Sequence, residues 1–205
     1  GFGPELEACL KTVVKSCEKS PRRDNLLLRV VQFNHDLLES HGFKLFGSIK
    51  DTDYDGVLSI GGSTALFDAC DEAIRATSTY GQQLTSQDYL CNAIVIVITD
   101  GENNRGNIMT PNPIKKAIEA ARRAENLESI TTILVGVTND DVNLNSYLQD
   151  VKDQAGFNSY VSIGTATPAK IAKLAEFVSQ SISSTSSALG TGAPSAPLNP
   201  ASFSF

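Results

Sequence analysis

Two stretches of the chain hold side chains able to do chemistry. Gly61-Gly62-Ser63-Thr64-Ala65-Leu66-Phe67-Asp68-Ala69 offers a threonine hydroxyl directly after two glycines. Ile98-Thr99-Asp100-Gly101-Glu102-Asn103-Asn104 offers an aspartate at the end of an apolar run. A hydroxyl and a carboxylate are hard oxygen donors. Mg2+ prefers such donors and completes its octahedron with water. An aspartate closing a buried strand is costly to place unless something uses its charge, so Asp100 is expected to serve a site. Both residues also have plain structural readings. Thr64 or Ser63 would suit the N-cap of a following helix, and Asp100-Gly101 would suit a turn. The hard-oxygen argument favours metal ligation by Thr64 and Asp100 together.

Other candidates are weaker. Asp51-Thr52-Asp53-Tyr54-Asp55-Gly56 alternates acids and ends in glycine, like the start of a calcium loop. The bidentate glutamate such a loop needs at its twelfth position is replaced by Gly62, so a solvated acidic loop is the expectation. His35 and His41 have no Cys, His or Glu at ligand spacing and read as packing or surface residues. No Gly-x-Ser-x-Gly elbow, P-loop or Gly-x-Gly-x-x-Gly occurs. Gly61 to Thr64 could cradle a phosphate at a helix start but lacks a P-loop lysine. Asp100 and Glu102 could hold a metal for phosphoester chemistry, yet no nucleophile or general base accompanies them. No catalytic residue is assigned, and the chain reads as a non-enzyme.

The elements that must position these residues follow from periodicity. Residues 4–20 read as a helix, with Leu6, Leu10, Val13, Val14 and Cys17 at helical spacing and Pro4 in the first turn. Leu26 to Phe33 reads as a largely buried strand, and His41 to Ile49 as a short strand near an edge. A helix is expected from Thr64 to Thr79. Asn92 to Thr99 holds consecutive β-branched residues and reads as a central parallel strand covered on both faces. Helices are expected over 113–126, 144–155 and 168–182, the last with Thr167 as N-cap. Strands are expected over 130–137 and 160–163. This alternation predicts an α/β, doubly wound, Rossmann-like sheet, mostly parallel, with helices on both faces. Ligands in such sheets bind beyond the carboxyl ends of the strands, where both candidate loops lie. The expected organisation is one domain over residues 1–182 and a flexible Ser/Ala/Gly/Pro tail over 183–205.

Bulk properties bound the function. The chain has 205 residues, 41% hydrophobic and 20% charged, with net charge −6. That suits a single soluble domain and argues against nucleic-acid binding, which needs clustered Lys and Arg. No apolar run approaches a membrane span, and no signal peptide is visible. The single methionine is Met109, so the sequence does not open on an initiator. Cys9, Cys17, Cys70 and Cys91 are not spaced as a zinc or redox motif, and Cys9 and Cys17 lie too far apart on one helix to bridge. They read as small core hydrophobes, which leans towards a reducing compartment such as the cytoplasm.

The segments GGSTALFDA, ITDGENN and the later strand ILVGVTND resemble, in order, those of von Willebrand factor type A (vWA) domains. The resemblance covers roughly residues 4–182. It implies a vWA-like fold and a metal-ion-dependent adhesion site (MIDAS) holding Mg2+ or Mn2+. Thr64 would be its threonine ligand and Asp100 its third-loop aspartate. It also implies a protein-protein interaction module whose partner supplies an acidic group to the ion. The family's Asp-x-Ser-x-Ser loop, which would sit just before the first helix, does not occur here. The resemblance leaves open a segment preceding Gly1, a truncated domain, a strand donated by another chain, or a degenerate metal-free site. The last would make the chain a scaffold or assembly subunit that self-associates through an incomplete sheet edge.

Overall fold

The computed structural model describes residues 3–19, 23–58, 61–124, 127–191, 198–200 and 203. Helix α1 (Gly3–Glu18) buries Cys9, Val13, Val14 and Cys17 on the stripe that periodicity assigns. Strand β1 (Leu27–Phe33) turns at Asn34–Asp36 into β2 (Leu37–Leu45), and the two pair antiparallel from Leu27↔Leu45 to Phe33↔Leu37. The turn closes because the Asn34 side chain accepts from the Asp36 N–H at 3.0 Å. β2 therefore starts and ends earlier than hydropathy suggests. Phe46, expected within the strand, lies in a following 3-10 turn and is buried. β1 is half-buried throughout, so the expectation of a largely buried strand is corrected.

Helix α2 (Leu66–Thr85) leads to β3 (Asn92–Thr99), then α3 (Asn112–Arg123), β4 (Ser129–Gly136), α4 (Val142–Ala155), β5 (Ser159–Ser162) and α5 (Pro168–Thr191). Strands β3, β4 and β5 form a parallel sheet in that order, β3 and β4 in register from Asn92↔Ser129 to Thr99↔Gly136. The central strand is β4, buried from Ile130 to Gly136; β3 lies at an edge and is only alternately buried. The β-branched run Ile94 to Ile98 suits a strand covered on both faces, and its side chains do reach both cores, Val95 and Val97 buried and Ile94, Ile96 and Ile98 partly so.

Alternation splits the sheet's side chains between two cores. Ile133, Val135 and Val137, with Ile94, Ile96 and Ile98, pack with residues of α1 and α5. Leu134, Val95 and Val97 pack with residues of α2, α3 and α4. Helices thus cover both faces of a mixed α/β fold. The hairpin belongs to the first core through Leu28 and Val30, yet among the described residues β1 pairs only with β2.

Helix α5 runs nine residues past the predicted end at Ile182, into the stretch read as a flexible tail. Its serines close hydrogen bonds inside the helix: Ser179, Ser181 and Ser183 donate to carbonyls one turn back at 2.7, 2.8 and 3.0 Å. Thr185 is buried, and the Asn92 side chain donates to its carbonyl at 2.9 Å. Beyond the helix, the Phe203 ring packs edge-on against Phe177 at 5.2 Å. Phe205 lies outside the described residues. No helix among the described residues is long and apolar enough to cross a membrane.

Candidate functional site at the carboxyl end of the parallel sheet

Thr64 lies two residues before the start of α2 and Asp100 immediately follows β3. The structure brings their loops into contact. A Cβ placed on Gly101 would lie 3.2 Å from the Thr64 hydroxyl, so glycine permits this close approach. The Thr99 hydroxyl accepts from the Gly101 N–H at 3.2 Å and tightens the turn out of β3. Thr64 does not serve as the N-cap: Ala65 occupies that position and has no capping side chain. Among the described residues, neither the Thr64 hydroxyl nor the Asp100 carboxylate is hydrogen-bonded or ion-paired. Asp100 is exposed, which corrects the expectation that burial makes its charge costly.

The two loops are held together by groups that local sequence rules do not point to. Asn104 accepts from the Thr64 N–H at 2.7 Å, and the Asn104 and Arg105 N–H groups donate to the Thr64 carbonyl at 3.1 and 3.2 Å. The Asn103 side chain accepts from the Phe67 N–H at 2.9 Å. A helix without its own cap thus has an orphan N–H in its first turn satisfied from another loop. In return the Asp68 carboxylate accepts from the Asn107 and Ile108 N–H groups, each at 2.8 Å. Gly106 sits against that carboxylate at φ 109°. Asn103, Asn104 and Asp68 lie inside the two motifs, but only as bystanders to the hydroxyl and carboxylate. The sequence hid their role, because Ser63 and Thr64 offered the helix a cap of its own and only the structure places Ala65 at that position.

The loop after β4 leaves the same carboxyl end of the sheet as the loop after β3. Asn139 and Asp140 are both left-handed, at φ 48° and 65°, a strained pair for non-glycine residues. Two contacts hold them: the Asn139 N–H donates to Gly164 at 3.0 Å, and the Thr165 hydroxyl donates to Asp140 at 2.8 Å. Asp141 then caps α4, accepting from the Asn143 and Leu144 N–H groups.

The Asp51 to Gly56 stretch does not converge on a cation position. Asp51 pairs with Lys15 at 2.9 Å, whose ammonium holds it below the usual carboxylate range, and Asp55 pairs with Lys11. Asp53 accepts from the Lys50 N–H at 3.0 Å. His35 faces Asp36, while the His41 ring is bonded to the buried Tyr54 hydroxyl at 2.7 Å. All four cysteines are free thiols; Cys9, Cys17 and Cys70 are buried and Cys91 is half-buried.

Among the described residues, no group of three or more His, Cys, Asp or Glu could hold a metal ion. A cation at the sheet's carboxyl end would therefore rest on one hydroxyl and one carboxylate. Water and a group from outside the described residues would fill the rest of its shell. That donor set is chemically fitting for Mg2+ but sparse. No protein-family model and no curated protein matches this chain.

Proposed function

We propose that this chain is a non-enzymatic protein-binding module of vWA type. It would engage its partner through a Mg2+ or Mn2+ ion held by Thr64 and Asp100, with an acidic group of the partner entering the ion's shell. The observation that carries this reading is the meeting of the two loops. A hydroxyl and an exposed carboxylate, neither bonded to another protein group among the described residues, lie on loops in contact at the carboxyl end of the parallel sheet. Affinity for the ion alone should be modest, since the protein supplies few ligands. The test is thermal unfolding in Mg2+ and in chelator. Saturation at roughly 100 times the dissociation constant should add about 2.7 kcal/mol of stability. Asp100→Ala should remove that gain. Equal stability in Mg2+ and chelator would overturn the reading.

A second reading has its own observation. Among the described residues the five strands form two separate sheets, so β1 and β3 each keep an edge without a strand partner. Unpaired edges are templates for association. The chain would then be an assembly or scaffold subunit with the same fold and a metal-free site. It predicts self-association indifferent to chelator, read by light scattering during size-exclusion chromatography. A chain that stays monomeric at all accessible concentrations would remove it.

A further inference from the structure

Asn103 is the point at which three elements meet. Its side-chain oxygen accepts from the Phe67 N–H in the first turn of α2. Its side-chain NH2 donates to the Ile108 carbonyl at 3.3 Å, closing the loop that follows Asp100. Its backbone N–H donates to the Tyr147 hydroxyl of α4 at 3.1 Å. The side-chain amide provides the acceptor for α2 and the donor for Ile108 at once, from two separate atoms. A carboxylate would keep the first bond, favoured by the helix N-terminus, and would set like charge against the Ile108 carbonyl. The Tyr147 ring is half-buried, and burial, the leading cause, holds its phenol above the ordinary value. The hydroxyl therefore stays protonated at neutral pH.

We propose that Asn103 is the positioning residue of the Thr64–Asp100 site, and that the Tyr147 hydroxyl is the link through which α4 is coupled to it. This rests on the metal-site reading. Asn103 touches neither candidate ligand. Together with Asn104 and Arg105, which bond the Thr64 backbone directly, it sets the separation of the two loops that carry them, and Tyr147 holds the second loop to α4. A shift of α4 is then transmitted to Asp100 through one hydrogen bond.

The experiment compares wild type, Asn103→Ala, Asn103→Asp and Tyr147→Phe by two readouts below the unfolding temperature of every variant. The first is Mn2+ affinity. The second, taken without metal, is amide hydrogen exchange at Phe67 and across residues 101–108. Asn103→Ala should weaken Mn2+ binding about tenfold or more, the usual effect of removing a residue that orients ligands. It should also speed exchange at Phe67 and throughout the loop. Asn103→Asp should keep Phe67 protected while the loop loosens, with intermediate affinity. Tyr147→Phe retains the ring, so it should fold even if Asn103→Ala does not, and it should loosen the loop and lower affinity. A merely structural asparagine would lower the unfolding temperature and leave Mn2+ affinity unchanged; that result overturns the proposal. If wild type binds no Mn2+, the metal reading fails and exchange alone decides. Loop protection lost in Asn103→Ala and Tyr147→Phe sustains the coupling of α4 to the loop, and protection unchanged overturns it.

Discussion

At the residue scale, the side chains that carry the proposed chemistry are those the fold uses least. Asp100 is exposed and unpaired among the described residues, so Asp100→Ala should change unfolding free energy in chelator by no more than about 0.5 kcal/mol, checked by urea titration. Gly106 behaves oppositely. Its φ is 109°, and a Cβ would fall 2.6 Å from the Asp68 carboxylate. Gly106→Ala should therefore cost about 1 to 3 kcal/mol in the same assay. The buried thiols make a pH prediction. Burial pushes Cys9 up to about 12 and Cys17 up to about 11 from an ordinary value of 9.0, and raises Cys70 further. A raised thiol pKa in the folded state means that only the unfolded chain ionises first. Stability is thus intact below pH 9.0 and should decline as pH climbs towards 11 and 12, with the urea midpoint falling accordingly. Thr64 and Asp100 stand out as candidates because hydroxyl, carboxylate and glycine types announce themselves in the sequence. Asn103 does not, because its partners Phe67 and Tyr147 are distant in the chain and helix-cap rules look only at adjacent residues.

At the element scale, legibility followed burial. The boundaries of β3 at Asn92 and Thr99 were read correctly, because an unbroken β-branched run has few alternatives. The position of β3 within its sheet was not, since hydropathy does not report strand order. Strand β2 was misplaced because its exposed residues alternate weakly and its register is set by the Asn34–Asp36 turn. Helix α5 was cut short because Ser-rich sequence reads as linker, whereas here the hydroxyls bond to carbonyls one turn back. The hairpin is fastened to α2 by Arg29, which forks onto Glu72 at 2.7 and 3.0 Å and also reaches Glu39 at 3.0 Å. The Arg29 side chain is 12% exposed. Beside it Phe43 stacks on Tyr80 with ring centroids 4.3 Å apart. Arg29→Ala should cost about 2 kcal/mol, the scale of charge-assisted hydrogen bonds. It should also speed amide exchange in β1 and β2 more than in β4.

At the scale of the whole molecule, two cores on opposite faces of one parallel sheet make a frame whose carboxyl end gathers the loops after β3, β4 and β5. The general architecture was legible because strands and helices alternate along the chain. The separation of the β1–β2 hairpin from the main sheet was not, because pairing between distant strands leaves no local signature. That separation adds the β1 and β3 edges to those at which self-association could start. A charged substitution there, such as Ile96→Lys, would also injure the core, so backbone exchange protection of β3 with rising protein concentration is the cleaner measurement. A Mn2+ titration by electron paramagnetic resonance tests whether Thr64 and Asp100 together hold a divalent cation, as proposed. The wild-type chain should bind one ion saturably, with binding weakened by Thr64→Val and abolished by Asp100→Ala, all three proteins being equally folded. Free Mn2+ rising in step with added Mn2+ for the wild type, or unchanged binding in Asp100→Ala, would contradict the proposal.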